Sequence, residues 1–172
     1  MTIIAEERFI ELFNTLPVMN ISDSDYKPQY DFGSQEDLLK YLNQKHKEGG
    51  KVYPLIWLET PIVLEGDKRK KSVFKFVLAT LSNSELSNRE RLEVTIKPTL
   101  VPLKNNMLKA FKQSGFTRIL NRDREKQSIH YNYGTKDIKS KKQESQASDI
   151  WDAIKFEIEL ELNDCKLKNI NY

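Results

Sequence analysis

Alternation is clearest near the end of the chain. Through "AIKFEIELEL" the even positions Ile154, Phe156, Ile158, Leu160 and Leu162 are apolar, and Lys155, Glu157, Glu159 and Glu161 between them are charged. That period of two predicts a strand with one face on a core and one face acidic. "SVFKFVLATLS" differs: Phe74, Phe76 and Leu78 lie on one side while Val73, Val77, Ala79 and Leu81 lie on the other. Together with "KVYPLIWLETP" it predicts a hairpin of two strands apolar on both faces, across the basic turn "LEGDKRKK", and helices must then cover the pair. Pro54 cannot donate to a ladder and belongs at an edge, a strand start or a bulge, and it is best accommodated if this pair contains a sheet edge or a bulge near that edge.

Helical spacing appears three times. Residues 3 to 16 set Ile3, Ile4, Phe9, Ile10, Leu12, Phe13 and Leu16 among Glu6, Glu7, Arg8 and Glu11, and Pro17 ends the run. "SQEDLLKYLNQKHKEGG" offers Ser34 as a cap with Asp37 three residues on, a short apolar stripe, and two closing glycines. Ser87 and Glu90 form a capping box, after which Leu92, Ile96, Leu100, Leu103, Met107 and Phe111 recur every three or four residues up to Gly115. Pro98 and Pro102 fall inside that third helix, so a kink or a break into two pieces is expected. "FTRIL" and "QSIHYNYG" read as short strands around "NRDREK". "SDSDYKPQYDFG" and the lysine-rich "TKDIKSKKQESQASD" read as loops.

These elements fit in one domain of residues 1–172. Its parts are an N-terminal helical region (1–50), the sheet and long helix (51–133), an exposed loop (134–149) and a C-terminal strand (150–164). A chain of 172 residues with 38% hydrophobic and 31% charged content can bury a core. No run approaches the roughly 18 to 20 apolar residues of a membrane span. "MTIIAEERFIELF" has acids where a signal peptide carries a basic region, which places synthesis in the cytoplasm. The net charge of +3 is too small to imply nucleic-acid binding by itself, but its distribution is uneven. Residues 118 to 146 hold eight basic and four acidic side chains, net +4, and residues 149 to 164 hold six acids and Lys155, net −5.

Candidate chemistry is sparse. Cys165 is the single cysteine and excludes an intrachain disulfide, His46 and His130 are not at ligand spacing, and no nucleophile elbow or glycine-rich phosphate loop occurs. No cofactor is expected. Glu157, Glu159 and Glu161 share one strand face about 7 Å apart. They read as a solvated face, as a row able to bridge a divalent cation, or as a wall that repels a polyanion. Lys68, Arg69, Lys70 and Lys71 form the strongest basic run, read as a hydrated hairpin tip or as a contact for an acidic partner, such as the glutamates of a neighbouring copy.

The order of elements, with a leading helix, the "YPLIWL" strand, the return "FKFVLATL", a long helix around "LKNNMLKAF" and the alternating "WDAIKFEIELEL", resembles the tail-completion and tail-terminator-like neck proteins of tailed bacteriophages over roughly residues 50 to 164. The two prolines of the long helix depart from the simple pattern. The resemblance implies a tail-terminator-like α+β fold, a mostly antiparallel central sheet flanked by helices, and a non-catalytic structural virion protein of the neck or tail. It would form a homo-oligomeric ring beside other neck or tail proteins, at the head-tail junction or the end of the tail tube, with DNA passing through without specific binding and no membrane involved. On that expectation Glu157, Glu159 and Glu161 face the lumen or a subunit interface, Lys68 to Lys71 make a basic contact, and Tyr53, Pro54 and Trp57 belong to the assembly surface. The alternative is a nucleic-acid-binding accessory protein that uses the basic hairpin tip and the 118 to 142 segment.

Overall fold

The computed structural model describes residues 3–21, 23–47, 54–83, 85–121, 125–133 and 150–172. The expected loop 134–149 lies outside the described residues. The chain order is α1 (Ala5–Phe13), β1 (Met19–Ile21), β2 (Ser24–Tyr26), β3 (Gln29–Gly33), α2 (Gln35–Lys47), β4 (Leu55–Glu59), β5 (Lys70–Ser82), α3 (Asn88–Arg91), a π-helical segment (Leu92–Leu100), α4 (Val101–Gln113), β6 (Thr117–Ile119), β7 (Lys126–Tyr133) and β8 (Ile150–Leu162). β1 and β2 make a small hairpin. The remaining strands form one six-stranded sheet in the order β3-β4-β5-β8-β6, with β7 also paired to β8. Every pairing in this sheet is antiparallel except β3 with β4. The fold is therefore α+β with a mostly antiparallel sheet flanked by helices.

The two thirteen-residue strands β5 and β8 pair along their whole length, from Lys70 opposite Leu162 to Ser82 opposite Ile150. Their alternation fixes the two faces. Phe74, Phe76, Leu78, Ile154, Phe156, Ile158, Leu160 and Leu162 point to α1, the π-helical segment and α4, where they form the main core with Phe9, Phe13, Leu103, Met107 and Phe111. The centre of this core is aromatic: Phe9 meets Phe74 edge-on at 5.1 Å, and Phe76 stacks on Phe156 at 5.4 Å. Each buried phenylalanine contributes about 1.5–3 kcal/mol. The other face carries Leu55, Trp57, Val77, Ala79, Trp151 and Ala153 under Leu38 and Leu42 of α2.

Several expectations are met. The β4–β5 hairpin is formed. Ser34 and Asp37 cap α2 reciprocally through Asp37 N–H to Ser34 Oγ at 3.1 Å and Ser34 N–H to Asp37 Oδ2 at 3.0 Å. The Ser87–Glu90 capping box is present at α3. Gly115 takes φ +81°, the left-handed turn that closes α4.

Three expectations are corrected. Pro54 lies one residue before β4, its carbonyl accepts from Gln29 N–H at 2.9 Å, and β3 adds outside it, so β4 is not the sheet edge. Proline sits at the strand start, where no ladder donor is needed. Of the kink or break expected in the long helix, the break does not occur: Asn88 to Gln113 winds continuously by changing type. In α-geometry the Pro98 ring would strike the carbonyl of Val94 and leave it without a donor. The π winding over Leu92–Leu100 shifts the hydrogen bonds by one residue, seen in Val101 N–H to the Ile96 carbonyl, and Pro102 falls where the winding returns to α. Residues 22 to 33, read as a loop, contain two short strands, β2 and β3, and β1 lies just ahead of them. β3 is polar and alternates weakly, and it exists because β4 offers it a ladder.

Beyond the last strand, residues 163 to 172 pack back over α1 and α4. Arg8 donates to the Cys165 carbonyl, Lys168 N–H to Ser114 O at 2.9 Å and Asn171 N–H to Gln113 Oε1 at 3.1 Å, while the Tyr172 and Thr15 hydroxyls meet at 2.7 Å. Leu167 and Ile170 cover the core from that side.

Candidate functional site

Among the described residues α2 covers only one end of its face of the sheet. The other end, made of the start of β5, the end of β8 and the adjoining β6 and β7, is charged and, among the described residues, open. The register decides which charges meet. Lys75 stands opposite Glu157, Val73 opposite Glu159 and Lys71 opposite Glu161 on β5. On the other flank Lys126 of β7 stands opposite Glu157 and Arg118 of β6 opposite Glu161. Lys75 Nζ lies 3.7 Å from Glu157 Oε1, and the Asn121 side-chain amide donates to Glu159. Arg69 Nη1 is 3.3 Å and Lys71 Nζ 3.9 Å from the two carboxylate oxygens of Glu161, which is only 6% exposed.

The glutamate row is therefore a paired row and not a bare acidic wall. Arg69 and Lys71, expected to reach an acidic partner, turn instead to Glu161 of their own chain. Lys70 Nζ donates to the Gly66 carbonyl, and Lys68 stays exposed. Among the described residues no group of three or more His, Cys, Asp or Glu converges as a metal site. Alternation along β8 spreads the carboxylates, and each is directed at a cation or an amide.

Between α2 and β7 the open face sinks into a groove of about 500 Å³ lined by Gln35, Glu59, Lys75, Lys126, Ser128, His130, Lys155 and Glu157. Lys155 Nζ pairs with Glu59 Oε1 at 2.8 Å. Ser128 Oγ and His130 Nε2 are 2.8 Å apart. Burial, and then the nearby Lys155 ammonium, hold the imidazole below its usual range. The His130 ring lies edge-on to Tyr133 at 5.8 Å. Acyl transfer would need a carboxylate to orient the imidazole and a set of donors aimed at an oxyanion. Here the neighbours of the pair on strand β7 are Lys126 and an aromatic ring, and the Ser–His contact follows from two residues sharing one strand face at i and i+2. The Tyr133 hydroxyl is pushed up to about 12 by burial and then by Glu59.

The expected assembly surface is corrected as well. Tyr53 lies outside the described residues. Pro54 is buried, and Trp57 is 3% exposed, packed on Tyr41 at 5.6 Å with its indole N–H donating to the Gly33 carbonyl at 3.1 Å. Trp57 faces α2 of the same subunit because the short stripe on α2 needs an apolar platform. Among the described residues no helix is long and apolar enough to cross a membrane.

Two features went unread in the sequence. Arg91 and Asp152 make a buried ion pair at 3.2 Å on the helix side of the sheet, with Arg91 also donating to Asn132 Oδ1 at 2.7 Å and to the Leu86 carbonyl at 3.1 Å. The pairing of Lys71 and Lys75 with the glutamates had a signal: Lys71 and Lys75 lie four residues apart on one face of β5, and Glu157, Glu159 and Glu161 alternate along one face of β8. No protein-family model matches this chain, and no curated protein does either.

Proposed function

We propose that this chain is a non-catalytic structural protein of the neck or tail of a tailed phage, which assembles head to tail into a ring that adapts or terminates the tail and lets DNA pass. The α+β architecture is the one that the phage resemblance implies. The observation that carries the reading is the half-covered sheet: α2 shields one end of its face, and the other end presents a broad surface of interleaved cations and carboxylates. Such a surface is soluble in the free subunit, and it gives register and orientation, more than raw affinity, to a contact with another protein. With its carboxylates paired, the surface suits a subunit contact better than a wall that acts by repulsion alone.

The test is the mass in solution by size-exclusion chromatography with light scattering, at low and moderate salt, followed by electron microscopy. A discrete multiple of 20.2 kDa with ring-shaped particles supports the reading. A strict monomer at every concentration, with no ring in virions, removes it. The rival, a nucleic-acid-binding accessory protein, requires retention of DNA that falls steeply with salt. It is disfavoured at the hairpin tip, where Arg69 and Lys71 already have Glu161 as counter-ion.

A further inference from the structure

The six-stranded sheet ends, among the described residues, on β3 at one side and on β6 and β7 at the other, where they pair with successive parts of β8. We propose that β3 of one copy pairs antiparallel with β7 of the next, so that the sheet continues from subunit to subunit. The proposal rests on the ring reading above and names its contact.

Strand direction comes first. β3 runs parallel to β4, β4 antiparallel to β5, β5 to β8, and β8 to β7. β3 and β7 thus run in opposite senses, and setting a second copy beside the first in the same orientation brings them together as an antiparallel pair. This is a head-to-tail contact between two different edges, the kind that closes into rings.

Backbone phase agrees. Gln29 N–H bonds Pro54 O and Thr60 N–H bonds Gly33 O, so the backbone groups of residues 29, 31 and 33 point to β4 and those of Tyr30 and Phe32 point outward. On the other side Leu120 N–H bonds Glu159 O, and β8 continues without a bulge, so Glu157, Lys155 and Ala153 turn their backbone groups to Lys126, Ser128 and His130. Gln127 and Ile129 therefore point outward. Tyr30, Phe32, Gln127 and Ile129 all carry their side chains on the helix side of the sheet. Pairing outward group with outward group keeps the pleat in phase.

Length selects the register. The pairing of β7 with β8 is regular from Lys126 to His130 and shifts between His130 and Tyr133. Five regular residues match the five of β3 when Gly33 faces Lys126, Phe32 faces Gln127 and Tyr30 faces Ile129. Phe32 and Ile129, 41% and 40% exposed in the single chain, then share one apolar strip. On the other face Asp31 falls opposite Ser128, with Lys126 and His130 on its two diagonals. Pairing like edges would set Asp31 near Asp31 or Lys126 near Lys126, so charge favours the unlike pair. In the single chain Asp31 Oδ1 accepts from Phe32 N–H at 2.8 Å, blocking an outward donor, and an edge masked in this way resists indiscriminate strand addition.

The experiment uses the full chain. Ile129→Pro removes an outward donor without touching the bonds to β8, and its fold is checked by far-ultraviolet circular dichroism. In a Cys165→Ser background, Phe32→Cys and Gln127→Cys are combined in one chain and oxidised, with each single cysteine as a control. The expected result is a wild-type multimer, an Ile129→Pro variant that is folded and runs as a monomer, and a ladder of disulfide-linked chains only when both cysteines are present. If the wild type is a multimer while Ile129→Pro stays a multimer and no ladder forms, the strand contact is overturned and the ring reading survives. Should Ile129→Pro misfold, the cysteine pair alone decides. A wild type that is monomeric throughout overturns both.

Discussion

Replacing Arg91 with Met should be among the most damaging single changes to this fold outside the aromatic core. Asp152 is 0% exposed and opposite Thr80 in the middle of the sheet, and Arg91 Nη1 at 3.2 Å from Oδ1 is its counter-ion. The other oxygen, Oδ2, already has no hydrogen-bond partner among the described residues. Removing the guanidinium leaves a buried carboxylate without compensation and takes a donor from the Leu86 carbonyl. Breaking such a pair from one side costs about 3–5 kcal/mol. At roughly 2–4 °C per kcal/mol for a chain of this size, the midpoint should fall by roughly 6–20 °C. The assay is urea denaturation together with a thermal scan of four proteins: wild type, Arg91→Met, Asp152→Leu and the double variant. An apolar pair of similar volume removes both charges, so the double variant should recover most of the loss. A cost for Arg91→Met within the roughly 0–1 kcal/mol of a surface pair would refute the reasoning. So would a double variant whose loss is the plain sum of the two single ones.

Gly33→Ala should cost about 1–3 kcal/mol, since Gly33 has φ +156° and a Cβ there would lie 2.8 Å from Trp57 Cζ2 and 3.1 Å from Asp37 Cβ; an unchanged urea midpoint would show that the indole yields freely. Ser87→Ala removes the acceptor for Glu90 N–H in the capping box and should cost about 1 kcal/mol, read by the same titration. The Tyr133 hydroxyl has its pKa raised from 10.0 to about 12, so the folded state resists ionisation that the unfolded chain accepts. Its contribution is present below pH 10 and is lost as the pH rises through 10 to 12, and Tyr133→Phe should flatten the alkaline stability curve in that window. Glu161→Gln leaves Arg69 and Lys71 without their counter-ion and should raise retention on DNA at low salt; no change would mean that these cations do not govern nucleic-acid affinity.

Sequence patterning was a reliable guide where an element is long and one of its faces meets a core. β8 was legible because a period of two over ten residues suits nothing else, and β5 because both of its faces are apolar. Capping chemistry located the starts of α2 and α3 through residues four apart or fewer. Patterning failed where an element depends on a partner far along the chain. β3 has too few apolar residues to announce itself and forms on the ladder that β4 presents. The π winding around Pro98 is a compromise between a missing donor and the need of Ile96, Leu100 and Leu103 to stay on the core, and only packing imposes the second condition.

The functional surface divides in the same way. Local sequence sets the alternation that places Glu157, Glu159 and Glu161 on one strand face, and the caps of α2 and α3, because each depends on the stereochemistry of neighbouring residues. Tertiary structure alone decided that these glutamates face Lys71, Lys75 and Arg69, that Trp57 is roofed by α2, and that Arg91 finds Asp152. Those outcomes depend on strand register and helix placement, which are set by how the whole apolar surface is buried, so no local window of sequence contains them.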